Sequence, residues 1–202
     1  MYIHEFSKRG ARYPAYNPIV AGGENACVLH YVENNQQLNN DDLLLVDAGC
    51  EYEMYAADIT RTFPVSGKFS DEQLAIYKVV LDAMNAAIDM VKPGNHIMQP
   101  QEISEKVITE GLVKLGLLDG DPEELHKSGA YKEFYMHKIG HWLGLDVHDA
   151  GDYVEGEEYM TFKPGMITTI EPGIYISSSM DIDDKWKGIG IRIEDDILVT
   201  KE

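Results

Sequence analysis

Five residues whose side chains bind hard divalent cations lie in or beside segments that read as strands. They are four carboxylates and one imidazole: Asp47, Asp58, His141, Glu171 and Glu194. Burying an unpaired carboxylate costs several kcal/mol, so a carboxylate in an apolar strand needs a partner of opposite charge. Any one of these acids alone reads as a surface group or a salt-bridged strand end. Together the five predict a metal site.

Two apolar, β-rich segments would position these ligands. Residues 43–50 and 166–176 are bounded by Asp, Gly and Pro, and both are predicted to be buried strands. Residues 190–199 alternate and then turn apolar, which is typical of a final strand. Three of the five candidate ligands, Asp47, Glu171 and Glu194, therefore lie on predicted strands.

Helices are predicted on either side of a Pro-Gly break. Ser70 to Gln73 form a capping box, and apolar residues recur after it at helical spacing until Pro93-Gly94. A second helix is predicted from Pro100 to Leu115, stopped by Gly116. Strands and helices mixed in this way indicate an α+β fold. Without repeats or linkers, residues 1–202 are interpreted as one domain.

Composition narrows the class of protein. With 44% hydrophobic and 26% charged residues, the chain reads as a soluble globular enzyme, and its apolar runs fall short of the ~20 residues of a membrane helix. The start lacks the order of a signal peptide, so a cytoplasmic location is predicted. The net charge of −18 disfavours nucleic acid and favours cations. Cys27 and Cys50 are predicted to be unpaired.

Four ordered motifs carry a family resemblance. They run over residues 47–63, 137–149, 169–175 and 190–195, with a further match over residues 16–31. In this order they closely resemble the catalytic domain of aminopeptidase P, the Xaa-Pro aminopeptidases. These enzymes belong to the pita-bread metallopeptidases, together with prolidase, creatinase and methionine aminopeptidase. The resemblance implies a curved, mostly antiparallel sheet covered by helices.

The resemblance also implies roles for the five ligands. Asp47 would bind one metal, Asp58 and Glu194 would bridge two, and His141 with Glu171 would complete the second. Carboxylates with one imidazole and no thiolate suit Mn²⁺ better than a structural zinc, and the family points to two Mn²⁺ ions. A hydroxide shared by the ions would attack the scissile carbonyl, with Glu171 as general base.

Further residues are implied to line the substrate pocket. By resemblance, the imidazoles of His30, His137 and His148 would bind the carbonyl oxygen and help release the proline nitrogen. Taken alone, His30 and His148 read as hydrogen-bonded structural histidines, and His137 with His141 as an i, i+4 zinc pair on a helix that Gly140 would weaken.

Arg192 lies two residues before Glu194. On an extended strand the two side chains point the same way, so the arginine would act on the metal site or the substrate. An ordinary strand-end salt bridge is the alternative interpretation of this arginine.

The resemblance predicts release of the N-terminal residue from peptides with proline in second position. Two alternatives stay open: a prolidase restricted to Xaa-Pro dipeptides, and a catalytically silent peptide-binding fragment of the same fold. The family's N-terminal domain and C-terminal extension have no counterpart in this chain, so a module truncated at both ends is expected. A homodimer or homotetramer of the full-length form is also expected.

Overall fold

The computed structural model describes residues 1–201. Its α-helices are α1 (Tyr2–Lys8), α2 (Asp71–Ile88), α3 (Gln99–Lys114) and α4 (Pro122–Ser128). Its strands are β1 (Tyr13–Pro14), β2 (Ile19–Gly22), β3 (Leu43–Asp47), β4 (Cys50–Tyr52), β5 (Tyr55–Ala56), β6 (Thr60–Pro64), β7 (Val154–Glu155), β8 (Glu158–Tyr159), β9 (Ile167–Ile170), β10 (Gly173–Ile176), β11 (Ile189–Arg192) and β12 (Asp195–Leu198). Every strand pairing within the described residues is antiparallel, which confirms the predicted α+β class.

Strand β3 is the centre of a three-stranded sheet with the order β2-β3-β6. It ends at Asp47, three residues before the end of the predicted segment 43–50. The chain turns there because Gly49 approaches another part of the backbone, and a Cβ at this position would lie 1.6 Å from the Ala57 carbonyl oxygen. Asp47 is therefore the last residue of a buried strand.

The two other predicted strands are each split in two at an acidic residue. Segment 166–176 forms β9 and β10, which are separated by Glu171 and Pro172. Segment 190–199 contains most of β11 and all of β12, with Glu194 in the gap. Strand β9 pairs with β12 and β10 with β11 in one continuous register, since Ile170 faces Asp195 and Gly173 faces Arg192. The ladder is therefore interrupted at both acids without a change of partner. Proline lacks an N–H and cannot continue a ladder, which accounts for the first break.

Helices α2 and α3 pack on each other and cover one face of the strands. The capping box at Ser70 is confirmed, since its hydroxyl accepts from the Gln73 N–H and the Gln73 side chain accepts from the Ser70 N–H. Helix α2 ends at Ile88, before the predicted stop at Pro93. Helix α3 lies within one residue of its predicted bounds.

The buried core is formed mainly where these two helices meet strands β9, β10 and β11. Its fully buried side chains include Ile76 and Val80 of α2, Ile108 and Leu112 of α3, and Ile174 of β10. Within residues 1–201, no helix has both the length and the apolar character needed to span a bilayer. Cys27 and Cys50 are free thiols, as predicted.

Candidate metal centre and substrate pocket

The breaks between strands deliver the predicted ligands to one cavity of about 320 Å³. Asp47 ends β3, Asp58 precedes β6, Glu171 separates β9 from β10 and Glu194 separates β11 from β12. All nine residues singled out from the sequence line this cavity: His30, Asp47, Asp58, His137, His141, His148, Glu171, Arg192 and Glu194. Residues up to 164 positions apart in the chain thus meet at one place.

Three of the five predicted ligands form a tight group. Asp58, His141 and Glu194 each offer one ligand atom, and these atoms all lie within 4.8 Å of one another. The His141 Nε2 atom lies 3.4 Å from Asp58 Oδ2 and 3.7 Å from Glu171 Oε1. Glu171 therefore joins the group through the imidazole.

Asp47 is linked to the group by a residue that the sequence did not single out as part of the site. The Tyr16 hydroxyl oxygen lies 2.5 Å from Asp47 Oδ1 and 2.6 Å from Asp58 Oδ1. One hydroxyl proton can satisfy only one of these two carboxylate oxygens. The pair of acids thus needs a further positive charge or a proton.

The imidazole of His141 is oriented for binding a cation. Its Nδ1 atom lies 3.0 Å from the carbonyl oxygen of Trp142, a contact that places the ring proton on Nδ1. The unprotonated Nε2 atom then faces Asp58 and Glu171. A backbone carbonyl on the far nitrogen is the usual arrangement for a metal-binding histidine.

The acids carry more negative charge than the protein itself neutralises. Glu194 is only 1% exposed, and its pKa is raised well above the usual range by burial and by repulsion from Glu171 and Asp58. Burial also raises the pKa of Asp47, although Arg192 and Tyr16 act against this effect. Oxygen ligands with one imidazole, in a site short of positive charge, fit hard divalent cations.

Glu171 has a pKa suited to proton transfer. Burial raises the pKa of this carboxyl to about 7, against the opposing effects of Arg192 and His141. Its backbone N–H donates to the Ile139 carbonyl at 2.7 Å, and the Ile139 N–H in turn donates to the Gln101 side chain at 2.5 Å. Gln101 of α3 thus anchors the segment between His137 and His141.

Arg192 is buried, with 4% exposure, and contacts the metal-ligand side of the cavity. Its guanidinium donates to Asp47 Oδ2 at 2.7 Å and to the Tyr175 hydroxyl at 3.1 Å. As predicted, Arg192 and Glu194 face the same region, because both contact the Thr60 hydroxyl. The salt bridge that the alternative interpretation proposed does exist, and it holds Asp47.

The remaining imidazoles occupy the wall of the cavity. His137 Nε2 lies 2.8 Å from the Tyr175 hydroxyl, and burial lowers the pKa of this imidazole to about 4. His148 packs edge-on against His141, with 4.3 Å between ring centroids. The residue is exposed, yet partial burial of its ring lowers the pKa of the imidazole. His30 is exposed at the cavity rim.

The alternative of a helical zinc pair is wrong. His137 and His141 lie in a segment without helix, between the short 3-10 turn at Ala130–Glu133 and β7. Gly140 is required there because a Cβ would lie 1.9 Å from the Thr169 carbonyl oxygen. The two imidazoles therefore reach the cavity from a loop pinned against β9.

The antiparallel scaffold and its acid-rich centre define the class of metallopeptidases with the pita-bread fold. The model of metallopeptidase family M24 matches residues 1–201, and the chain belongs to this family. It is 54% identical over 199 residues to the Xaa-Pro aminopeptidase of Haemophilus influenzae, covering 98% of this chain and 46% of that protein.

Solved structures agree with this assignment. Aminopeptidase PepP of Pseudomonas aeruginosa superposes with a TM-score of 0.97 at 56% identity, covering 98% of this chain and 45% of that one. Aminopeptidase P from Escherichia coli with the inhibitor Pro-Leu superposes with a TM-score of 0.95 at 49% identity, with the same coverage. These matches confirm the predicted pita-bread fold. The chain spans less than half the length of these relatives.

Proposed function

We propose that this chain carries the catalytic centre of an Xaa-Pro aminopeptidase, which releases an N-terminal residue from a following proline. The observation that carries the proposal is the convergence of five candidate ligands, three further imidazoles and Arg192 on one cavity. The relatives named Xaa-Pro aminopeptidase support it, because their similarity covers 98% of this chain. In this proposal residues 1–202 act as a catalytic domain.

Each residue is assigned a role that follows from its surroundings. Asp47, Asp58, His141, Glu171 and Glu194 would hold two divalent ions, which when bound supply Lewis-acid activation of water and of the scissile carbonyl. Glu171 would take the proton of the attacking water, since its carboxylate lines the cavity beside the His141 imidazole, 3.7 Å away. Arg192 keeps Asp47 charged and in place through their 2.7 Å contact.

The imidazoles are assigned to the substrate. His148 and His30 would donate hydrogen bonds to the scissile carbonyl and deliver a proton to the departing proline nitrogen. His137, whose two ring nitrogens contact the Lys138 carbonyl and the Tyr175 hydroxyl, would line the same pocket. Proline requires such a dedicated site because its nitrogen lacks an N–H and its ring restricts the preceding residue. The carboxylates attract the free ammonium of the substrate, which favours cleavage at the N-terminus.

Finer assignments belong to the same proposal. Mn²⁺ is proposed as the metal because oxygen ligands with one imidazole suit it. The cytoplasm is proposed as the location, and a homodimer or homotetramer as the state of the full-length protein. The substrates are peptides that begin with Xaa-Pro.

The experiment compares three substrates with and without Mn²⁺: a tripeptide Xaa-Pro-Yaa, the dipeptide Xaa-Pro and a tripeptide Xaa-Ala-Yaa. We expect manganese-dependent cleavage of the first and little cleavage of the third. Cleavage of the dipeptide alone would establish a prolidase instead. Silence on all three with metal bound would contradict peptidase activity of this chain and favour a peptide-binding fragment.

A further inference from the structure

A single exposed lysine lines the cavity among acids and imidazoles. Lys138 follows His137, and its ammonium nitrogen lies 5.6 Å from the centre of the Tyr153 ring, which lines the same cavity. The cavity's other cation, Arg192, is buried and bonded to Asp47. Within residues 1–201, no carboxylate lies within 4 Å of the Lys138 ammonium. This charge therefore faces the space that a substrate would fill.

The backbone of Lys138 is fixed although its side chain is free. Its carbonyl oxygen lies 2.8 Å from His137 Nδ1. The next residue, Ile139, donates its N–H to the Gln101 side chain and accepts from the Glu171 N–H. The ammonium thus starts from a rigid point on the cavity wall. Its stem can reach over Tyr153, whose ring face attracts a cation.

Charge decides which end of a peptide this wall accepts. Lys138 repels the substrate's N-terminal ammonium, whereas the metal centre does not, because its four carboxylates offset the charge of two divalent ions. A carboxylate on the substrate is instead attracted by Lys138. A peptide bound for cleavage therefore places its leaving side, the part after the scissile bond, toward Lys138.

We propose that Lys138, lying over Tyr153, forms a subsite for a carboxylate on the leaving side of the substrate. That carboxylate is either the C-terminus of a short peptide or the side chain of an acidic third residue. The inference rests on the proposed peptidase function and adds to it a preference for anionic peptides. A single charge contact at a partly exposed site corresponds to a preference of about 3- to 10-fold.

Turnover by the manganese-loaded protein gives the first test. The substrates are Ala-Pro-Ala with a free C-terminal carboxylate, Ala-Pro-Ala amide without a carboxylate, and Ala-Pro-Glu amide with a side-chain carboxylate. The readout is the kcat/KM of each carboxylate-bearing peptide divided by that of the neutral Ala-Pro-Ala amide. We expect the wild type to favour one or both acids 3- to 10-fold, mainly through KM. Lys138→Met should bring the ratio close to one, and Lys138→Arg should keep it. Which acid is favoured identifies the source of the carboxylate.

Lys132→Met is the matched control. Lys132 is also an exposed lysine over a tyrosine, with its ammonium 6.0 Å from the Tyr131 ring, but it does not line the cavity. The control should keep the wild-type ratio. An equal ratio in wild type and Lys138→Met would overturn the subsite, whereas failure of the wild type to cleave even the neutral amide would contradict the peptidase function instead.

Binding gives a second test that needs no turnover. Calorimetry would compare Pro-Leu with its amide on the wild type and on Lys138→Met, both loaded with Mn²⁺. We expect Pro-Leu to bind the wild type 3- to 10-fold more tightly than the amide, and Lys138→Met to lose that difference. Equal affinity of the wild type for the two ligands, or no binding of either, would overturn the subsite.

Discussion

Thr60 and Glu194 are joined twice, although they are 134 positions apart. The Thr60 hydroxyl donates to Glu194 Oε2 at 2.6 Å, and the Glu194 N–H donates to the Thr60 carbonyl at 3.0 Å. Both residues are buried. The side-chain bond fixes one oxygen of a proposed metal ligand, while the backbone bond fixes the break between β11 and β12.

Thr60→Val keeps the shape of the side chain and removes the hydroxyl. We expect metal affinity to fall about 10-fold, because groups that orient a ligand typically have effects of this size. Equilibrium dialysis against Mn²⁺ measures the change. Thr62→Val is the matched control, since Thr62 is also buried on β6 but its hydroxyl contacts the Arg192 backbone. Equal losses in the two variants would mean that Thr60 acts only through stability.

Gln101→Leu tests whether helix α3 positions the proposed general base. The side chain accepts from the Ile139 N–H, and the Ile139 carbonyl accepts from the Glu171 N–H. We expect kcat to fall about 10-fold with metal content retained, because Glu171 would lose its alignment. Gln99→Leu is the control. Gln99 lies at the start of the same helix, and its side chain accepts a similar bond from the N–H of His96, which precedes the helix. An unchanged kcat in Gln101→Leu would contradict the positioning role.

Glu171→Gln tests the raised pKa in metal-free protein. Because folding raises this pKa from 4.5 to about 7, the carboxyl contributes stability below pH 4.5 that is lost as pH rises through 7. The wild type minus variant difference in the free energy of unfolding should therefore fall over that window, by at most about 3 kcal/mol. Urea unfolding in EDTA at several pH values measures it. A difference that stays flat would show an unshifted pKa.

His148→Ala separates a pocket residue from a ligand. Its ring packs against His141, yet its atoms do not belong to the tight ligand group. We expect turnover to slow by a factor of 10² or more, in the range of general acid–base effects, while bound metal stays at the wild-type level. Metal analysis of the purified variant decides this, and loss of metal would reassign His148 as a ligand.

The sequence predicted much of this architecture because its strongest signals are local. The capping box at Ser70 and the helical spacing after it require only neighbouring residues, and both were predicted correctly. The matched motifs contain all nine predicted site residues, and all nine line the cavity. The strand breaks at Glu171 and Glu194 were missed, because the N–H groups of these two residues bond to the distant carbonyls of Ile139 and Thr60, which no local pattern shows.

The missed site residues share a physical reason. Tyr16, which begins the matched stretch 16–31, and Gln101 reach the centre only through contacts with residues at least 31 positions away, so no local pattern gives either one a role there. Thr60 lies two residues after the predicted ligand Asp58, and its hydroxyl donates to another proposed ligand, Glu194. A polar residue next to a predicted ligand on a buried strand is the signal that identifies such a residue.

The central claim is that these five residues hold two divalent ions, and the most direct test is the number of Mn²⁺ ions bound per chain. Equilibrium dialysis would compare the wild type with Asp58→Ala and with Asp82→Ala, which removes the same charge from an exposed position on α2. We predict two ions in the wild type and in Asp82→Ala, and a loss of metal and of metal-dependent hydrolysis in Asp58→Ala. Full binding and activity in Asp58→Ala would contradict the proposed centre.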